Sequence, residues 1–309
     1  MVVTIPDEER QEVIDAVNLV AEILLVAWLI TLFILYIFVG IILQPINNLI
    51  KTAEGINEQQ LSYRMIIQGK GQMAKLAYSF NLMMERLDKA FKTQNKLLND
   101  VSHELRTPIT IIRGHLELLD YNSELEREKT IPLVLDELDR MSRLVEELLL
   151  LAKVDQENFL RLERVDLREF IMVIYQKVQV LAERNWQLVN NETITLTLDS
   201  QKISQALINL IQNAIQHTQP GDKITVIAKI GQKKVYLGIQ DTGVGIHKSE
   251  QDKIFKQFFR ASNSRSDKTK GAGLGLAIVK AIAEKHNGSV QVYSRLGKGS
   301  LFYLILPIK

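Results

Sequence analysis

The sequence contains no cysteine, which excludes disulfide frameworks and thiolate metal sites and fits a reducing compartment. It also lacks a strong charge imbalance. Lys and Arg total 38 against 36 Asp and Glu, a net charge of +2, too little to draw nucleic acid by bulk electrostatics. Internal repeats and low-complexity segments are absent, as is the lysine-hydroxyl ending that a P-loop needs. Histidine is scarce, with five in the chain, so each can be weighed singly. What is present is length: 309 residues, 46% hydrophobic, enough for two or more domains with ample core.

Charge is missing altogether from Ile23 to Leu43. As a helix this run is about 31 Å long, matching a bilayer core of about 30 Å. A signal-peptide core or a buried soluble helix are the alternatives. A signal peptide is shorter, with a basic start and a small-residue cleavage site. Here Asp7, Glu8, Glu9, Glu12, Asp15 and Glu22 precede the run, and Gln44-Pro45 follows it. A membrane span is the better reading. Arg10 is the only basic residue before it, whereas Lys51, Arg64, Lys70 and Lys75 come after, which puts the C-terminal bulk in the cytoplasm.

Beyond Pro45, Ile46, Leu49, Ile50, Ala53 and Ile56 have helical spacing, interrupted by Gly55 and the polar run 57–60. After Gly71, the residues Leu76, Phe80, Met83, Leu87, Ala90, Gln94, Leu97 and Val101 form a heptad seam. This is the pattern of helices packed lengthwise on partners, and a homodimeric coiled coil is favoured over a monomeric amphipathic helix. The seam runs into Asn99–Pro108, where proline predicts a kink. A polar break at Asp120–Lys129 precedes a second helix with Val134, Leu138, Met141, Val145, Leu148 and Ala152. Two such helices make a hairpin, and two hairpins close a four-helix bundle. From about Val165 the texture changes. Helical stretches (Leu167–Arg184, Gln201–His217, Leu274–Asn287) mix with strand-like runs (Ile194–Leu198, Ile224–Ile230, Val235–Gln240, Ser289–Tyr293, Leu301–Leu306). That alternation predicts an α+β sandwich.

The chemistry-bearing residues are dispersed. His103, two positions past Val101, projects from the bundle's flank beside Glu104; the pair can serve as nucleophile and base, or is simply a solvated helix face. His115, His247 and His286 have no supporting constellation and read as surface or structural residues. Asn209, Asn213 and His217 fall at i, i+4 and i+8 and share a helix face. Amide oxygens there suit Mg²⁺ beside phosphate, or else hydrogen bonds to the neighbouring sheet. Asp241-Thr-Gly-Val-Gly245 follows a strand: the carboxylate can accept a base amino group, while the glycines admit close backbone approach. Gly271-Ala-Gly-Leu-Gly-Leu276 opens a helix whose N-terminal amides suit phosphate. Gly297-Lys-Gly-Ser-Leu-Phe302 is a glycine turn entering a strand.

In order, SHELRTP, N-L-I-x-N-A, DTGVG, GAGLGL and GKGSLF resemble the H, N, G1, G2 and G3 boxes of sensor histidine kinases, and Ile254–Arg260 resembles that family's F box. Helix, polar connector and helix after the span look like a HAMP relay module, closed by LAYSFNLMMERL; Gln72-Met73 stands where that module usually has an acidic residue. The resemblance implies five regions. These are a short extracytoplasmic tail (1–22), a transmembrane helix (23–43), a HAMP-like signal relay (44–92), a dimerisation and histidine phosphotransfer hairpin (93–157) and an ATP-binding α+β domain (165–309).

By the same resemblance, His103 accepts phosphate from ATP, Glu104 assists its deprotonation, and Thr107 supports phosphatase activity. Asn213 holds Mg²⁺, with Asn209 and His217 on the same face. Asp241 reads the adenine amino group, Gly243 and Gly245 shape that pocket, and 260–270 forms a lid carrying Arg260 and Arg265. Gly271, Gly273 and Gly275 hinge the lid and approach the phosphates. Gln216 stands where the family often has a basic residue, so that one phosphate contact is either missing or supplied by Lys268 or Lys270. The implied partners are a response regulator's aspartate, a second copy of the chain and the bilayer of a bacterium-type cell, but no nucleic acid. An ATPase of the gyrase or chaperone type and a non-transferring ATP-binding scaffold are the rivals. About 22 residues precede the span, too few to fold a sensor domain, so either the membrane helix or a partner senses, or a sensor lies upstream.

Overall fold

The computed structural model describes residues 7–54, 62–65, 71–118, 124–156, 158–190, 193–261 and 271–308. The chain divides into two units, Met1–Lys96 and Leu97–Lys309.

In the first unit, helix α1 (Asp7–Glu54) runs without interruption through Pro45. Its segment Glu12–Gly40 is long and apolar enough to cross a membrane, with a mean hydropathy of 2.8 and nothing packed over it. Trp28, Phe33 and Tyr36 are all exposed, an arrangement that costs free energy in water and none in lipid. The acidic residues before Ile23 are helical too, so the helix extends beyond the charge-free run on both sides. Helix α2 (Gln72–Leu118) follows. Within this unit it buries Ala77, Phe80 and Met84, and Met65 and Phe91 pack on that cluster. Asn81 fastens the same spot: its Oδ1 accepts the Met65 amide at 2.8 Å, and its Nδ2 donates to the Met65 carbonyl at 2.9 Å. The polar run 57–60 lies outside the described residues.

The second unit begins within α2, which continues through Pro108 as helix. Helix α3 (Glu124–Lys153) starts earlier than the polar break at Asp120–Lys129 implied. Its first turns are rich in Glu and Arg, which favour helix intrinsically. Ile109, Ile112 and Leu116 of α2 face Leu138 and Met141 of α3 across a shallow apolar groove.

The remaining elements form the expected two-layer sandwich. They are β1 (Glu163–Asp166), α4 (Leu167–Val178), β2 (Asn185–Asn190), β3 (Thr195–Leu198), α5 (Ser200–Gln216), β4 (Lys223–Ile230), β5 (Lys234–Asp241), α6 (Gly275–Lys285), β6 (Ser289–Arg295) and β7 (Gly299–Pro307). A mixed sheet has the order β2-β4-β5-β7-β6, and β1 pairs with β3 separately. β4–β5 and β6–β7 are antiparallel neighbours, as expected; β2 joins β4 in parallel. On the helix side, Val226, Leu237 and Leu304 meet the buried stripe of α5 (Ile203, Leu207, Leu210, Ile211) and Ile278 and Ile282 of α6. Each fully buried Leu or Ile contributes about 1.5–3 kcal/mol.

Helices α4 and α5 begin on aspartate caps. Asp166 Oδ1 accepts the Glu169 amide at 3.0 Å, and Asp199 Oδ1 accepts the Lys202 amide at 2.9 Å. Helix α3 docks on this domain: Leu144 is part of its core, and Leu148, Leu151 and Val154 pack against it.

Candidate functional site

α5, the loop after β5, the segment 254–261 and the start of α6 line a cleft partly open to solvent. Of the residues expected at a nucleotide site, Asn209, Asn213, His217, Asp241, Gly245, Arg260, Gly271, Gly273 and Gly275 line it. Gly243 does not line it but holds Asp241. Arg265, Lys268 and Lys270 lie outside the described residues. Gln216 lines the cleft with an uncharged side chain.

Asp241 ends β5 with only 4% of its surface exposed. Its Oδ1 accepts two amides, from Gly243 at 2.9 Å and from Ser300 at 3.2 Å. Among the described residues Oδ2 has no protein partner, which leaves an acceptor for a ligand. Burial pushes this carboxyl above its ordinary value of 3.8; the two amides pull it back, and Asp222 adds to the rise. Ser300 therefore matters through its backbone.

The glycine at 243 is sterically required. A Cβ there would lie 1.9 Å from the His217 carbonyl oxygen, the atom that accepts the Val244 amide. Gly273 has φ +76°, and a Cβ on it would meet the Phe259 oxygen at 2.8 Å. The Phe258 amide, on a residue itself at φ 58°, donates to the Gly273 carbonyl at 3.1 Å. So the segment 254–260 and the glycine run are locked together. Gly271 and Gly275 have room for a methyl group.

Unlike α4 and α5, α6 starts at Leu274 with no side-chain cap. Among the described residues no hydrogen bond is made by its first amides, whose residues Gly275 and Leu276 line the cleft, the arrangement that accepts phosphate. Asn209 spans the gap from α5, its Nδ2 donating to the Gly275 carbonyl at 3.3 Å. Asn213 is half-buried in the cleft, and among the described residues its amide makes no hydrogen bond. That free oxygen donor fits Mg²⁺ beside phosphate.

His103 is exposed on α2, and Glu104 beside it is half-buried. The Thr107 hydroxyl donates to the His103 carbonyl over a long 3.4 Å. Among the other histidines, His286 is buried and fully used. Its Nε2 accepts the Asp199 amide at 3.1 Å and its Nδ1 donates to the Ile282 carbonyl at 2.8 Å, the satisfied structural role expected. His247 is exposed and pairs with Ser249. Among the lining residues that the sequence did not single out is Glu147, from α3.

Two family models match the chain. Residues 93–157 match the His Kinase A (phospho-acceptor) domain, and 198–309 match the histidine kinase-, DNA gyrase B-, and HSP90-like ATPase. The chain is 34% identical over 280 residues to the sensor histidine kinase MtrB of Mycolicibacterium paratuberculosis, covering 85% of this chain and 49% of that protein. It is 30% identical over 291 residues to the signal transduction histidine-protein kinase ArlS of Staphylococcus epidermidis, covering 92% and 64%. It thus spans from about half to under two thirds of the length of these relatives. Among solved structures, histidine kinase ThkA in complex with response regulator TrrA matches with TM-score 0.59 and 27% identity, over 72% of this chain and 64% of that one. Full-length ShkA in complex with AMPPNP matches with TM-score 0.51 and 26% identity, over 69% and 46%.

Proposed function

Because the chain belongs to the sensor histidine kinases of two-component systems, with both their phospho-acceptor and ATPase domains, we propose that it phosphorylates its own His103 from ATP and passes the phosphoryl group to a response-regulator aspartate. The observation that carries this reading is the cleft itself: a half-free buried carboxylate at one place, and an uncapped helix start with an unpartnered asparagine at another.

In this reading the adenine amino group donates to Asp241 Oδ2, and the backbone around Gly243 and Gly245 closes on the ring. The amides at the start of α6 receive phosphate oxygens. Asn213 holds Mg²⁺, which neutralises phosphate charge when bound, and Asn209 keeps α5 and α6 in register. Arg260 adds positive charge beside the phosphates. An imidazole nitrogen of His103 then attacks the γ-phosphorus: an N–P bond forms, the bond to the bridging oxygen breaks, and ADP leaves. Glu104 takes the imidazole proton. Positioning and charge neutralisation do most of the work in such transfers. In the second half the N–P bond breaks as a carboxylate oxygen of the partner aspartate takes the phosphoryl group, as the pairing of ThkA with a response regulator suggests. In the same reading Thr107, one turn from His103 and exposed, orients the water that hydrolyses the partner's aspartyl phosphate and releases inorganic phosphate, the phosphatase reaction.

We assign 1–22 to an extracytoplasmic tail, 23–43 to the span, 44–92 to a HAMP-like relay, 93–157 to the dimerisation hairpin and 165–309 to the catalytic domain. The exposed apolar helix supports anchoring in a cell membrane with the catalytic domain in the cytoplasm. The groove between α2 and α3, apolar and uncovered in one chain, supports closure of a four-helix bundle by a second copy. Full-length protein incubated with Mg-ATP should acquire acid-labile phosphate on His103. Label persisting in His103→Ala would refute the assignment, while steady ATP turnover without phosphohistidine would favour an ATPase of the gyrase or chaperone kind.

A further inference from the structure

Every residue lining the cleft belongs to the ATPase domain except Glu147. It is carried there by α3, whose Leu144 is buried in that domain's core and whose Leu148 and Leu151 pack on it. Glu147 is half-buried, and among the described residues its carboxylate has neither a hydrogen bond nor an ion pair. Burial drives the carboxyl above its ordinary value, against a smaller opposing pull from Arg143 one turn back. An acidic group that makes no hydrogen bond or ion pair among the described residues is thus part of the wall of a cleft suited to a polyanion.

Like charges in a partly desolvated cleft repel more strongly than in water. The repulsion grows with the number of phosphates and vanishes for a nucleoside. We propose that Glu147 makes the cleft discriminate among nucleotides by phosphate charge whenever α3 is docked, disfavouring ATP relative to ADP. By reciprocity, ATP weakens the docking of α3 by the same factor. The nucleotide that must be delivered to His103 thereby loosens the arrangement that holds the ATPase domain on α3, and ADP lets it re-form. The inference rests on the reading of the cleft as an adenine-nucleotide site.

The test measures equilibrium binding of AMPPNP, ADP and adenosine, at fixed Mg²⁺ and low salt, to the full-length chain in detergent micelles. Glu147→Gln should tighten AMPPNP by about fivefold or more, ADP less, and adenosine not at all. Glu147→Lys should widen the same ranking. Glu146→Gln, a neighbouring exposed carboxylate outside the cleft, should change nothing. The gain should shrink as salt screens the charge. An equal change for all three ligands, or no change, overturns the proposal while leaving the nucleotide site intact. Failure of every ligand to bind the unaltered chain overturns the site reading and the discrimination with it.

Discussion

Asp241→Asn separates ligand recognition from fold maintenance, because the two carboxylate oxygens do different work. Oδ1 is fixed by the Gly243 and Ser300 amides. In asparagine only the carbonyl oxygen can take that place, since an NH₂ group would face two donors. The NH₂ group is therefore forced outward, where the adenine amino group needs an acceptor. A charge-assisted hydrogen bond is lost, about 1.5–3 kcal/mol, and a donor is left facing a donor. Together these cost roughly 2–4 kcal/mol of binding, a factor of about 30 to 1000 in Kd. Stability should move the other way. The carboxyl is raised above 3.8, chiefly by burial, so the native state holds its proton more tightly than the unfolded chain. Its contribution to stability is full below about pH 3.8 and is lost as pH rises through the raised value, so at neutral pH the ionised group is a liability. The variant should then melt no lower than the parent at pH 7. Titration calorimetry with AMPPNP, paired with thermal melts, reads both quantities. The corresponding inosine nucleotide, whose 6-carbonyl oxygen accepts a hydrogen bond where adenine's amino group donates one, should bind the variant better than the adenine nucleotide does. Adenine affinity within about threefold of the parent would refute the assignment of Oδ2.

Gly243→Ala places a Cβ 1.9 Å from the His217 carbonyl; neither backbone can yield cheaply, so calorimetry should show lost nucleotide binding and melting a lowered transition. Asp199→Ala removes the α5 cap and the acceptor of the Arg161 amide at 2.8 Å; the expected loss is about 1–3 kcal/mol, seen as a lower midpoint in urea, with nucleotide affinity unchanged for the folded fraction. His103→Ala should bind AMPPNP as tightly as the parent while forming no acid-labile phosphate, because the exposed imidazole supports no fold contact; weakened binding would mean that His103 belongs to the cleft rather than to the relay.

Much of the site was legible in the sequence because its chemistry depends on short, fixed spacings. Asp241, Gly243 and Gly245 lie in one five-residue turn, and Asn209 and Asn213 lie one helical turn apart, so local pattern specifies their geometry. Glu147 was not legible. It sits among the charged residues of an amphipathic helix, and only the docking of Leu144 into a distant domain turns it toward the cleft. Strand β2 was missed for a related reason. Its residues Asn185–Asn190 alternate exposed and half-buried positions with few apolar side chains, and parallel pairing with β4 defines the strand. β1 is four residues long, too short for periodicity to register. The boundary at α3 erred because a polar run was taken for a break, although glutamate and arginine are good helix formers.

The heptad seam shows how one helix can satisfy two packing demands. Of its upstream members, Phe80 is buried within the chain, whereas Leu76, Met83 and Leu87 are exposed. The buried neighbours are instead Ala77 and Met84, one position further round, and Met84 with Phe80 meets Met65 and Phe91. α2 therefore carries two adjoining apolar stripes, which is wider than a coiled-coil seam alone requires. One stripe is occupied by the chain's own connector, held by the paired bonds of Asn81 to Met65. The other is left for a neighbour. Phe80, buried and four residues from both Leu76 and Met84, lies where the stripes meet.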